Sequence, residues 1–192
     1  MPTSLRAAVL VVALLNLAYF GVEFTVALTI ASVSLFADSI DFLEDTAVNM
    51  LILMALGWST RTRSGVGMAM AAILLVPGTA TLMMAWQKFG APVAPEPVPL
   101  TLAGSGALAV NLYCAYALAK FRTASGSLSR AAFLSARNDA IANVAIIAAG
   151  FATAATLSHW PDLIVGIGIF LINLDAAREV YAAARSERET AP

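Results

Sequence analysis

Six apolar stretches, each about 20 residues long or longer and joined by short polar connections, fill almost the whole of this 192-residue chain. In hydrocarbon no water satisfies backbone N–H and C=O groups, so a segment must satisfy its own, which an α-helix does. The stretches run from about Leu5 to Ile30, Ser34 to Trp58, Gly65 to Trp86, Leu100 to Ala119, Ala131 to Leu157 and Ile164 to Ala182. The expected fold is therefore an all-α integral membrane protein with six transmembrane helices. Residues 1–183 form the transmembrane domain and residues 184–192 a short tail. Composition agrees, with 60% apolar and only 12% charged residues, which no soluble globular domain requires. Arg6 and the apolar run that follows imitate a secretory signal, but the run continues almost to Ile30, so it reads as a retained first span.

The first two spans have almost no connection and form a tight hairpin. Ser59–Ser64 is a polar loop, and Pro77 lies inside the third span, where membrane helices tolerate it. Gln87–Pro99 is proline-rich and reads as the longest exposed loop. Lys120–Arg130 is the next loop, and His159, Trp160 and Pro161 mark an interface turn before the last span. Arg6, Arg61, Arg63, Lys120, Arg122, Arg130, Arg185 and Arg188 fall on one side of this arrangement, with Lys88 alone on the other. Cytoplasmic loops retain basic residues, so both termini are expected in the cytoplasm.

Several function classes drop out at this point. A net charge of −1 without a long basic run lacks the footprint of a nucleic-acid binder, leaving lipid as the main macroscopic partner. Cys114 is the single cysteine and sits in an apolar stretch, which makes it a packing residue. No nucleophile–base pair or cofactor motif is present, so the chain does not read as an enzyme and implies no resident cofactor.

The informative segment is ASVSLFADSIDFLEDTAVNM, which puts Asp38, Asp41, Glu44 and Asp45 inside a hydrophobic helix. A central charged residue costs about 2.5–3.5 kcal/mol on insertion scales, so facing four acids to lipid would cost on the order of 10 kcal/mol. They must face protein, water or a cation. At about 100° per residue, Asp38, Asp41 and Asp45 share an arc of about 60°, with Glu44 at one flank. The fifth span offers a complement in LSARNDAIANVAII, where Ser135 and Asp139 share a face bordered by Asn138 and Asn143. Arg137 points the other way, towards the cytoplasmic interface. If the two helices pack together, Asp41, Asp45, Ser135 and Asp139 can form a tetrahedral set of oxygen ligands, with Asp38 and Asn138 as accessories. Three carboxylates suit a dication, and protons compete with metal for such a site, which is the physical basis of metal/proton antiport. Asn16 and Glu23, seven residues apart in the first span, read as a structural hydrogen-bonding pair. Asp162, Asp175 and His159 read as interface groups.

These segments resemble the transmembrane part of the cation diffusion facilitators, the family of zinc, cadmium, cobalt, manganese and iron efflux proteins. The resemblance is carried by NLAYFGVEF in the first span, SVSLFADSIDFLED in the second, RNDAIANVAII in the fifth and PDLIVGIGIFLI in the sixth. In that family the second span carries an Asp or His followed four residues later by Asp, matching Asp41 and Asp45. The fifth carries a second four-residue pair, usually His then Asp, matching Ser135 and Asp139. The resemblance implies a homodimer that exchanges cytoplasmic metal for protons by alternating access in a plasma membrane, such as a bacterial inner membrane. Two departures stand out. Ser135 replaces a borderline nitrogen ligand with a neutral oxygen, which favours harder cations although zinc still accepts carboxylates. The cytoplasmic metal-binding domain that many members carry after the sixth span is absent from this sequence, so any dimer must be held through the membrane helices. The alternative function is a non-transporting membrane partner that retains the fold and modulates a complete transporter.

Overall fold

A computed structural model describes residues 4–55, 79–90, 92–119 and 127–190 of the chain. Most of the expected third span, Gly65–Trp86, lies outside the described residues. Among the described residues there are six helices: α1 (Leu5–Ile30), α2 (Val33–Ala55), α3 (described over residues 79–90), α4 (Pro97–Ala119), α5 (Ser127–Thr156) and α6 (Trp160–Thr190). There is no strand among the described residues.

The helix ends follow from local chemistry. The Ser4 hydroxyl accepts from the Ala7 amide at 3.3 Å and caps α1. At its other end Ala31 adopts a left-handed conformation with φ 51°, its N–H returning to the Ala27 carbonyl. The chain then enters α2 within two residues, which is the hairpin expected between the first two spans.

Four boundaries differ from the sequence reading, the first being the start of α6 at Trp160, which draws Trp160 and Pro161 out of the expected turn and into the helix ahead of Ile164. The Gln87–Pro99 segment is not wholly a loop, since α3 continues through residue 90 and α4 begins at Pro97. Proline fits a first helical turn, where its missing N–H would have had no intrahelical partner. The fifth helix starts earlier than expected, at Ser127. The charged tail is not a separate segment either, because α6 continues to Thr190 and absorbs most of residues 184–192.

Leu5–Ile30, Pro97–Ala119 and Arg137–Thr156 are each long and apolar enough to cross a membrane. The second helix carries four acids and so lies outside that simple pattern. Exposed Leu10, Leu14, Leu17, Leu28, Ile141, Val144, Phe151, Ile164 and Leu171 form the apolar exterior expected towards lipid. Inside, Ala27, Leu35, Phe36, Leu100, Ala103, Ile146 and Ile169 make a buried cluster drawn from α1, α2, α4, α5 and α6. Small residues let the backbones approach, as in other membrane bundles. A Cβ at Gly166 of α6 would come within 2.7 Å of the Val33 and Ser34 backbone, so α6 lies directly against the start of α2.

That junction is fastened by Asp162. Its carboxylate accepts from the Ser32 hydroxyl at 2.6 Å, the Ser34 hydroxyl at 2.6 Å, and the Val33 and Ser34 amides at 3.0 and 3.1 Å. Lys88 of α3 adds an ion pair at 2.5 Å, with both side chains buried. Asp162 is thus not the interface group the sequence suggests. It is the N-terminal cap of another helix, a position that favours negative charge.

Candidate metal site

The acids of α2 fan out towards three neighbouring helices. Each of three aspartates meets an asparagine. Asp38 is fully buried and accepts from Nδ2 of Asn143 on α5 at 2.5 Å. Asn143 in turn accepts from Asn111 of α4 at 3.0 Å, so a chain of amides runs across the bundle to this carboxylate. Asp45 accepts from Nδ2 of Asn16 on α1 at 3.3 Å, and the Cys114 thiol donates to the Asn16 oxygen at 3.7 Å. Asp41 accepts through Oδ1 from Nδ2 of Asn173 on α6. In a low-dielectric interior a carboxylate without donors is expensive, and these amides supply them without adding positive charge.

A cavity of about 430 Å³ opens between α2, α5 and α6. Its polar lining is Asp41, Asn138, Asp139 and Asn173, and its walls are apolar residues including Ile141, Val165, Ile169 and Ile172. Asp41 and Asp139 therefore meet at one membrane-embedded space although they come from different helices. The charges of Asp45, Asp38 and Glu44 on α2 also act on Asp139. Among the described residues, no three acidic, histidine or cysteine side chains close into a ready-made metal cage. Asp139 of α5 instead shares the cavity with Asp41 of α2, within electrostatic reach of Asp45.

The other expected residues are distributed as follows. The side chain of Ser135 lies outside the described residues, as does that of Asp175. Asn138 reaches the cavity, but its oxygen accepts from Arg137 at 3.2 Å, an exposed pair consistent with Arg137 turning away from Asp139. Asp38 is not on the cavity wall and faces Asn143 and Glu23. Glu23 is fully buried with neither carboxyl oxygen receiving a hydrogen bond, and Asn16 bonds to Asp45, so the two do not form a pair with each other. Cys114 is buried, as a packing residue should be. His159 stacks near Trp160 with ring centroids 5.1 Å apart at the far end of α5. Seventeen residues of helix, about 25 Å, separate Asp139 from Thr156 at that end, so His159 belongs to no common site with it.

Asn173 is absent from the sequence-derived set. A single asparagine in an apolar helix attracts no notice alone. It lies two turns beyond Gly166, and that spacing places it on the face of α6 turned towards α2.

Against models of known families, residues 9–187 match the cation efflux transmembrane domain. No curated protein sequence gives a significant match.

Proposed function

The chain belongs to the family of cation efflux transmembrane domains, and on that premise we propose that it exports a divalent metal cation in exchange for protons. Asp41, Asp45 and Asp139 are the carboxylate ligands in this reading, with Ser135 as the fourth oxygen. The observation that carries it is the meeting of Asp41 and Asp139, from α2 and α5, at one cavity between the apolar helices α2, α5 and α6. Intramembrane acids are expensive, and acids of one sign gathered from two helices repel each other. A dication relieves that repulsion. Protons relieve it as well, one carboxylate at a time, so the two compete for the same oxygens.

A cation entering the cavity draws the three carboxylates together, and bound metal is incompatible with the protonated acids. Alternating exposure of the site to the two sides then couples export of metal to import of protons. Zinc, cadmium, cobalt, manganese and iron(II) are the candidate cargoes, and the oxygen-only ligand set favours the harder ones. The working form is a homodimer in a bacterial inner membrane with both termini in the cytoplasm.

Equilibrium binding to the purified full chain tests the site. Asp45→Ala and Asp139→Ala should each weaken metal binding by at least a hundredfold while leaving the thermal melt near that of the parent. Binding unchanged in either variant removes that residue from the site.

A further inference from the structure

The geometry points to Asn173 as a specificity-determining residue of the transport site, one that biases Asp41 towards ligation through a single oxygen and so favours smaller dications. The inference rests on the proposed transport site and concerns a residue on a helix that supplies apolar wall but no carboxylate to it.

The placement of Asn173 is fixed by the fold at two levels. Asp162, in the first turn of α6, caps the first turn of α2 through Val33 and Ser34, so the two helices start together and run in the same direction. Gly166 keeps them in backbone contact there. Two turns along α2 from Ser34 brings Asp41 to the same face, and three turns along α6 from Asp162 brings Asn173 to its own matching face. The two side chains meet at depth in the membrane region, where Nδ2 of Asn173 donates to Oδ1 of Asp41. Both line the cavity that Asp139 also lines.

That hydrogen bond has a consequence for ligation. A carboxylate with two free oxygens can grip a large cation with both, which suits ions that gather many oxygen ligands. With one lone pair of Oδ1 taken by the amide, Oδ2 is the readier ligand. One oxygen from each carboxylate is the pattern of a compact, low-coordinate ion such as zinc. Partners that hold a metal-ligating carboxylate typically change metal affinity about 10–100-fold when removed.

The test uses purified full-length protein titrated with Zn²⁺ and with Cd²⁺, which differ chiefly in size. Asn173→Leu removes the donor while keeping the number and branching of side-chain heavy atoms. It should lower zinc affinity about 10-fold and leave cadmium affinity within about 3-fold of the parent, shifting the preference towards the larger ion. An unchanged zinc-to-cadmium ratio overturns the inference while metal binding by the parent leaves the transport site standing. A parent that binds neither ion overturns the inference, and one that binds none of the five candidate cations overturns the transport site as well. If the leucine variant does not fold, Asn173→Asp reads the same ratio. It removes the donor and adds an oxygen, so it should shift the preference in the same direction and further, and an unshifted ratio is again fatal.

Discussion

Replacing Asp162 with alanine removes a carboxylate that accepts five hydrogen bonds, one of them from a buried lysine. Two costs follow from the geometry. Lys88 is 5% exposed, so its charge loses its counter-ion without gaining water. Breaking a buried pair in this way costs about 3–5 kcal/mol. The Val33 and Ser34 amides at the start of α2 lose their cap as well, for about 1 kcal/mol more. The expected destabilisation is then about 4–6 kcal/mol, a large part of the stability of an ordinary domain. Asp162→Asn combined with Lys88→Met removes both charges and retains a side-chain oxygen for the cap, so the double variant should lie within about 2 kcal/mol of the parent. Denaturant titration in mixed micelles, followed through the fluorescence of Trp58, Trp86 and Trp160, measures each. A loss below about 1 kcal/mol for Asp162→Ala would refute the reasoning. So would a double variant no more stable than the single one.

Two further outcomes are expected. Ser135→His should raise zinc relative to manganese in a transport assay, because it restores a borderline nitrogen ligand; no change places position 135 outside the cation's ligand shell. Gly166→Val should lower the melting temperature by several degrees, since its Cβ alone would lie 2.7 Å from the backbone of α2, and an unaltered melt would mean that the two helices do not pack closely there.

The fold was largely legible because the spans announce themselves: a helix in lipid needs a long apolar run, and the runs are visible in the sequence. The acids of α2 were equally plain, being costly anomalies in such a run. Their partners were harder to see. Asp162 resembles an ordinary charged residue at a membrane interface, because its ligands are at positions 32–34 and 88, far away in sequence. Asn173 carries no periodic signal until α6 is placed beside α2. The turn at Gln87–Pro99 was overextended for a different reason: proline blocks a helix from within yet favours its first turn, and Pro97 stands at that turn. Asp38, grouped with Asp41 and Asp45 by helical angle alone, meets Asn143 of α5 while the other two meet α6 and α1, since an arc of about 60° is wide enough to reach several neighbouring helices.

Metal-dependent proton flux across liposomes that contain only this protein is the most direct test of the central claim. With a pH-sensitive dye inside and zinc, cadmium, cobalt, manganese or iron(II) supplied in turn, at least one cation should drive proton movement opposite to its own, and Asp139→Ala should abolish it. Absence of flux with all five cations, in vesicles where the protein is folded, would contradict autonomous metal/proton antiport.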